Sequence, residues 1–390
     1  MLIPINYTIR SLLSRKLTTF LTVFGISLVV FVFAASLMLS YGIEKAMTDT
    51  GSENNVILTR KASQGELASQ ISRDALNEIA NFPEIEKSKD GTPFFTMELY
   101  TLINLYKKAT NSMGNVTIRG VAEKSFELRP QVKLIKGRKF SYGKNEIIVG
   151  SNIEERFKSC KIGSVIKFAN TNWTIVGIFS TDGSGFDSEI WGDVNLFMTL
   201  FNRGTIYSSM TFKTNPKNFE IVKQKIAKDK RLNYIEPKIE KHFYKEQSEM
   251  MSSFISVLGT SITIIFSIGA VIGAIITMYS SIANRVVEIG TLRALGFKRR
   301  SILIAFLFEC MLISFIGCFV GIFAASFLQV ITISTTNFGT FSELAFSFEL
   351  TLDVIKYSII FSVIMGFIGG VFPAVRASFL SIINALRMDV

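Results

Sequence analysis

Four stretches of the chain carry no charged residue: Leu17 to Ile43, Met250 to Asn284, Cys310 to Ser342 and Tyr357 to Val375. A helix needs roughly 20 apolar residues to cross the hydrocarbon core of a bilayer. The pattern therefore predicts four membrane helices, near residues 18–40, 256–281, 302–328 and 355–375. The first stretch is longer than the apolar core of about 7 to 15 residues in a signal peptide, and no Ala-x-Ala-like site follows it. It is expected to stay in place as a membrane helix.

Between the first two spans the pattern changes to short strands and amphipathic helices. Asn55 to Thr59 is strand-like, and Ser72 to Ala80 carries Ala75, Leu76, Ile79 and Ala80 at helical spacing behind a capping Ser72. Phe94 to Tyr106 and Asn115 to Arg119 continue as strands, after Pro83 has stopped that helix. A second unit of the same kind returns late: a strand at Ser209 to Lys213, a helix at Pro216 to Lys228, and the start of a strand at Leu232 to Ile235. These units predict one α+β lobe made of residues 44–121 and 203–240, with a β-rich lobe inserted at 122–202. The insert carries β-branched runs at Glu146 to Gly150, Ser164 to Phe168 and Trp173 to Phe179. Ile239 to Ser253 keeps helical spacing and runs without Pro or Gly into the second span, which predicts a stalk near 239–255. The fold class expected is an α+β membrane protein, with four transmembrane helices and a large two-lobed α/β extracytoplasmic domain inserted between helices 1 and 2.

Composition agrees with this class, since 48% of the 390 residues are hydrophobic and 35 are Phe. The formal charge of +11 resembles a nucleic-acid signal only until it is divided by position. Arg10, Arg15 and Lys16 precede the first span, Arg285, Arg293, Lys298, Arg299 and Arg300 follow the second, and Arg376 and Arg387 follow the fourth. Glu343, Glu349 and Asp353 occupy the loop between the third and fourth spans. Basic residues collect on the cytoplasmic side of short loops, so both termini are expected in the cytoplasm and the large domain outside. Nucleic acid is not an expected partner; the lipid membrane is. Cys160 is alone outside and Cys310 and Cys318 lie in the third span, so the outer domain is expected to rely on its own core rather than a disulfide.

Catalytic chemistry is sparse. The single His, His242, lies on the proposed stalk, which leaves no His-based metal site and no Ser-His-Asp arrangement. No Gly-x-x-x-x-Gly-Lys-Ser/Thr loop is present, so nucleotide-driven work requires another chain. Catalytic, cofactor-binding and metal-binding residues are therefore all expected to be absent. Thr181 to Asp193 holds four carboxylates among glycines, but not in the register of a calcium loop. It reads as a turn-rich connection with Phe186, Ile190 and Trp191 packed inward. Glu309 lies within the third span, where a carboxylate is costly and serves either helix packing or transport. Gly269 with Gly273, and Gly317 with Gly321, are spaced for close helix approach in lipid. The segment 284–300, between the second and third spans, is the strongest candidate. Val286, Val287, Ile289, Leu292 and Leu295 give it an apolar face, and Gly290 and Gly296 punctuate it. It is long enough for about four helical turns and suits docking of a cytoplasmic partner.

The same segment, Arg285-x-x-Glu-Ile-Gly-x-Leu-Arg-Ala-Leu-Gly-Phe297, followed by Arg299-Arg-Ser-Ile and a helix bearing Glu309, resembles the FtsX/MacB-like permeases of ABC transporters. Phe372 to Arg387 is similar to that family's tail, and Arg10 to Gly25 to its N-terminal element. Phe126 to Phe140, Glu146 to Gly150, Ile162-Gly-Ser-Val and Val176 to Phe179 are similar to the MacB-type periplasmic core domain. The resemblance implies residues 1–43 as flank and first helix, 44–250 as the core domain and 251–390 as the permease domain. It makes Arg285, Glu288, Ile289, Gly290, Leu292, Arg293, Leu295 and Gly296 the elements that couple to an ATPase. The chain opens directly on its first span, so it is expected to be a permease subunit whose ABC ATPase, with ATP and Mg, is a separate cytoplasmic chain. A second permease copy, as homodimer or related heterodimer, and a periplasmic adaptor are the other implied partners. The implied setting is the bacterial inner membrane, and the implied work is mechanotransmission. Export of a peptide, toxin or other amphiphile is the first reading. Lipoprotein release, and signalling to a cell-wall hydrolase or sensor kinase, are the alternatives.

Overall fold

The structure, a computed structural model, describes residues 12, 15–88, 90–337 and 340–380. Arg10 and Arg387, used above for orientation and resemblance, lie outside the described residues, as does the tail beyond Leu380. The chain forms two compact units. One takes the chain up to Tyr41, Phe254–Ile331 and the part from Phe348 onward; the other takes Gly42–Ser253 and Thr332–Ser347.

Helix α1 (Lys16–Thr48) leads into the inserted domain. There β1 (Asn55–Arg60), α2 (Arg73–Ala80), β2 (Phe95–Tyr106) and β3 (Met113–Val121) are followed by α3 (Lys124–Leu128), β4 (Lys133–Gly137), β5 (Glu146–Gly150) and α4 (Ser151–Arg156). Strands β6 (Val165–Phe168), β7 (Thr171–Ser180) and β8 (Glu189–Asp193) come next, then α5 (Val194–Leu200), β9 (Ser209–Lys213), α6 (Phe219–Lys228) and β10 (Ile235–Ile239). Ten strands make one mixed sheet in the order β10-β1-β9-β2-β3-β8-β5-β7-β4, with β6 paired on β7. Only β3–β8 and β5–β7 run parallel; the remaining pairs are antiparallel.

This order explains how two sequence-distant segments build one lobe. Strand β1 is flanked by β9 and β10, its partners from the far end of the domain. The apolar stripes of α2 (Leu76, Ile79) and α6 (Val222, Ile226) are fully buried against that part of the sheet. Ser72 caps α2 by accepting the amide hydrogen of Ala75, as its position before the apolar repeat suggests. In the inserted lobe, Trp173 lies flat on Phe168 with ring centroids 5.1 Å apart and meets Phe197 edge-on at 4.9 Å.

Three sequence expectations change. Glu189–Asp193, read as part of a connection, is the strand β8 at the centre of the sheet, and its five residues are all buried. Its glycine and carboxylates masked the pattern. The last strand of the first lobe runs Ile235–Ile239, because Leu232 to Ile235 closes a turn through an Ile235 N–H to Leu232 carbonyl bond. The loop between the third and fourth spans forms a hairpin, β11 (Thr332–Thr336) with β12 (Glu343–Ser347), that belongs to the inserted domain. There the Ser188 hydroxyl accepts the Ala345 amide hydrogen, and Glu343 pairs with Lys107.

The helical unit contains most of α1, the later part of α7 (Glu240–Ala283), and α8 (Val286–Ala294), α9 (Arg299–Ser326) and α10 (Leu352–Ser378). Four of these, all but α8, are long and apolar enough to cross a membrane. Small residues set their approach. A Cβ at Gly366 or Gly370 of α10 would overlap Ser314 or Cys310 of α9, and the Ser362 hydroxyl donates to the Ser314 carbonyl at 2.7 Å. Helix α7 meets α1 where Gly259 lies against Ser36 and where the Thr22 hydroxyl donates to that of Thr277 at 3.0 Å.

Candidate functional site

The segment after α7 folds into a short helix and a tight stop, not one four-turn helix. Arg285 leaves helical conformation (φ −123°, ψ 14°), α8 runs for nine residues, and Lys298 caps the start of α9, so Arg299 and Arg300 belong to the following span. Gly296 ends α8 with φ +95°, a left-handed conformation that costs glycine little. Its amide donates to the Arg293 carbonyl at 3.1 Å and that of Phe297 to the Leu292 carbonyl at 3.2 Å, the two bonds of a Schellman stop.

Two arginines fasten α8 to the helices beneath it. The Arg285 guanidinium is buried, and its Nε donates to Glu288 Oε2 at 2.7 Å while Nη1 donates to Glu309 Oε2 at 3.3 Å. It also lies 5.4 Å from the Phe306 ring centre. Arg293 Nη1 donates to the carbonyls of Ser378 at 3.3 Å and Leu380 at 3.0 Å. Ser378 is the last residue of α10 and Leu380 lies two residues beyond it, at a helix C-terminus where a cation is favoured by unsatisfied acceptors and the helix dipole. Between the arginines, Ile289 and Gly290 are buried, and Ile289 packs in a cluster with Met278, Ile282, Ile302, Phe306 and Ala377.

The predicted coupling residues therefore divide. Arg285, Ile289 and Gly290 face the bundle, Leu292 and Arg293 are half-buried, and Glu288, Leu295 and Gly296 are exposed. Glu288, Thr291 and Leu295 share one outward face by helical spacing, and Leu295 is 70% exposed. Glu309 and the coupling segment, separate candidates in the sequence, are joined through Arg285. The Gly pairs also differ. A Cβ at Gly317 would come 2.9 Å from Ile26, and one at Gly321 would come 2.7 Å from the Ser27 carbonyl of α1, whereas one at Gly269 or Gly273 would meet nothing within 4 Å. His242 is exposed.

In the Thr181 to Asp193 segment the carboxylates serve the chain itself. Asp187 accepts from the amides of Thr181 at 2.6 Å and Gly183 at 2.9 Å. Asp193 accepts from that of Asn195, capping α5, at 2.8 Å.

A second constellation escaped the sequence reading. Arg119 on β3 and Arg129 after α3 are fully buried in the inserted domain. Arg119 makes two-pronged contacts with Glu189 (2.8 and 2.9 Å) and Glu66 (2.7 and 2.9 Å), and a further bond to Glu98 at 2.9 Å. Arg129 pairs with Glu98 and, at 3.1 and 3.2 Å, with Glu240. Burial pushes the Glu66 carboxyl up, but Arg119 outweighs it and holds the group below its usual range; at Glu189 burial wins and the direction is upward. The signal was available: Glu98 and Arg119 are lone charges inside otherwise apolar strand runs.

The chain matches the family model of the MacB-like periplasmic core domain over residues 19–228, and that of the FtsX-like permease C-terminal region over 260–390. An uncharacterised ABC transporter permease of Methanocaldococcus jannaschii is 24% identical over 98% of this chain and 97% of its own length. The macrolide export ATP-binding/permease protein MacB of Bdellovibrio bacteriovorus is 23% identical over 97% of this chain; the chain spans 61% of that protein. The periplasmic region of MacB from Actinobacillus actinomycetemcomitans aligns at 12% identity with a TM-score of 0.38, over 52% of this chain and 96% of that one.

Proposed function

Because the chain belongs to the ABC-transporter permeases that join a MacB-like periplasmic core domain to an FtsX-like permease region, we propose that it is a non-catalytic subunit converting motion of a cytoplasmic ABC ATPase into motion of an extracytoplasmic domain. The observation that carries this reading is the fastening of α8. Arg285 ties it to α9 through Glu309, and Arg293 ties it to the end of α10. A force on the outward face of Glu288, Thr291 and Leu295 then moves three helices together instead of bending a loop. ATP and Mg act on the partner chain.

Both termini and α8 face the cytoplasm in this reading, in agreement with the basic residues around α8, and the membrane is the bacterial inner membrane. The cleft lined by Thr22, Ile26, Ala274, Cys310, Ser314 and Gly366 among the helices has room of only about 10 Å³, one water at most. That supports a cargo acted on by the extracytoplasmic domain rather than one passed through a single bundle. Export of a peptide, toxin or other amphiphile from the periplasmic side, with an adaptor, fits best. A second permease copy is assigned to the exposed apolar face of α7 around Ile265, Ile268, Ile272 and Ile276, where Gly269 and Gly273 leave open space for a neighbouring helix.

Leu295→Asp tests the docking face, because it alters an exposed side chain and leaves both arginine contacts in place. The variant should lose copurification with the cognate ATPase by about tenfold or more, the loss expected at an apolar contact that anchors an interface. Wild-type copurification and ATPase stimulation would refute the reading.

A further inference from the structure

The helix that continues into the membrane unit begins inside the ion cluster of the inserted domain. Glu240 is the first residue of α7 and is fully buried. Its Oε1 accepts from Arg129 Nε at 3.2 Å and Nη2 at 3.1 Å; its Oε2 accepts from Asn55 Nδ2 at 2.9 Å and the Ser52 amide at 3.1 Å. One turn later, on the same face, the Tyr244 hydroxyl donates to Glu66 Oε2 at 3.2 Å and receives Arg119 Nη2 at 3.4 Å. Glu240 holds Asn55 on β1 directly, Glu66 accepts from Ser209 on β9, and the two guanidiniums extend the network to Glu98 on β2, Arg119 on β3 itself, Glu189 on β8 and Thr211 on β9. The segment after α1 is caught at the same point: a Cβ at Gly51 would lie 2.6 Å from Glu240 and Lys241 backbone atoms, and the Lys241 amide donates to the Ser52 carbonyl at 3.3 Å.

Stability does not account for this arrangement. Four carboxylates (Glu66, Glu98, Glu189, Glu240) face two guanidiniums with essentially no solvent exposure. Desolvation of such groups offsets most of their attraction, and apolar packing of equal volume is commonly as stable or more so. What a buried, multiply hydrogen-bonded charge supplies that apolar packing does not is one defined position, since any slip leaves a charge unpaired. Apolar side chains would let the first turns of α7 roll or slide on the sheet.

We propose that the Glu240–Arg129–Glu98–Arg119–Tyr244 network is a clamp that fixes the first turns of α7 to five strands, so that displacement of the helix reaches the sheet undiminished. Glu240 and Tyr244 are the positioning residues. The inference rests on the transmission reading above and names where transmission enters the extracytoplasmic domain. It also supplies an internal reporter: the Trp191 indole donates to Glu189 Oε2 at 2.7 Å, at the far end of the network.

The test uses the full-length chain in lipid nanodiscs, alone and with its ATPase, as wild type, Glu240→Ala and the milder Tyr244→Phe. In the chain alone, Glu240→Ala should raise amide exchange over residues 241–248 by about tenfold while β2 and β3 amides stay within about twofold, because opening is local. Tyr244→Phe should give a smaller rise in the same place. Fluorotryptophan carried by this chain alone should give one fluorine signal each for Trp173 and Trp191. On adding ATP to the complex the Trp191 signal should shift in wild type and not in Glu240→Ala. Unchanged exchange at 241–248 in both variants, or an equal rise across α7, β2 and β3, overturns the clamp, as does an undiminished Trp191 shift in Glu240→Ala. If wild type shows no ATP-dependent shift, the transmission reading fails, while the exchange data decide the clamp separately.

Discussion

Arg119→Met removes the guanidinium and retains a side chain of similar reach. In the native chain Arg119 donates to Glu66, Glu98 and Glu189 at 2.7 to 2.9 Å, and its guanidinium carbon lies 5.0 Å from the Tyr100 ring centre and 5.2 Å from that of Phe186. The substitution takes the guanidinium from Glu66 and Glu189, while Glu98 keeps Arg129. Breaking one buried pair from one side costs about 3–5 kcal/mol, and here carboxylate protonation limits how far the cost can exceed that range. In a domain of this size about 2–4 °C of melting temperature goes with each kcal/mol, so a fall of about 6–20 °C is expected. Both tryptophans, Trp173 and Trp191, are buried in the inserted domain, so intrinsic fluorescence of the full-length protein reads that domain directly. The penalty should also depend on pH. Without Arg119, burial acts unopposed on the Glu66 and Glu189 carboxyls, so the native state holds protons there more tightly than the unfolded chain, whose glutamates keep the ordinary value of 4.5. Stability then falls as pH rises above that value, and the variant should lose more at pH 8 than at pH 5. A shift below about 3 °C at pH 8, or a penalty larger at the lower pH, would refute the reasoning.

Two further perturbations address other parts of the chain. Arg138 makes a two-pronged pair with Glu146 at 2.7 Å, and this pairing, with the Ser141 amide, lowers the Glu146 carboxyl to about 2. A lowered native value stabilises above the unfolded value near 4.5 and the effect is lost as pH falls toward about 2; the melting difference between wild type and Glu146→Gln should be fully developed by about pH 6 and narrow by about pH 2.5, and a difference that widens on acidification would count against the pairing. Gly321→Ala should destabilise the helical unit by about 1–3 kcal/mol, since its Cβ would sit 2.7 Å from the Ser27 carbonyl, while Gly269→Ala should be neutral in a single chain. Thiol-dye labelling of the buried Cys310 and Cys318 on heating, in a Cys160→Ala background, separates the two; equal effects would show that the α1–α9 approach is not what Gly321 serves.

The parts of this fold that were legible in the sequence are those where one physical requirement acts on consecutive residues. A span must be apolar for its whole length, and that alone located α1, α7, α9 and α10. Period and capping located α2 and α6 for the same reason, and Gly296 marked the stop of α8. What stayed hidden depends on residues far apart in the chain. Leu295 shares one apolar face with Val286, Val287, Ile289 and Leu292 in the sequence, because spacing along α8 gives its faces but not which one the bundle covers; Arg285 and Arg293, reaching Glu309 and the residues that close α10, decide that. The strand β8 was hidden because a carboxylate-rich run looks solvated, while Glu189 is buried against Arg119, 70 positions earlier, and the Trp191 indole. Both failures share a cause: a charge in an apolar context has a partner that sequence distance conceals. Glu98, Arg119 and Glu309 are such charges, each in an apolar strand or span. Buried ions that add little net stability persist in some proteins because they fix position, and in this chain they lie at both ends of α7: at its first residue, and in the turn after its last.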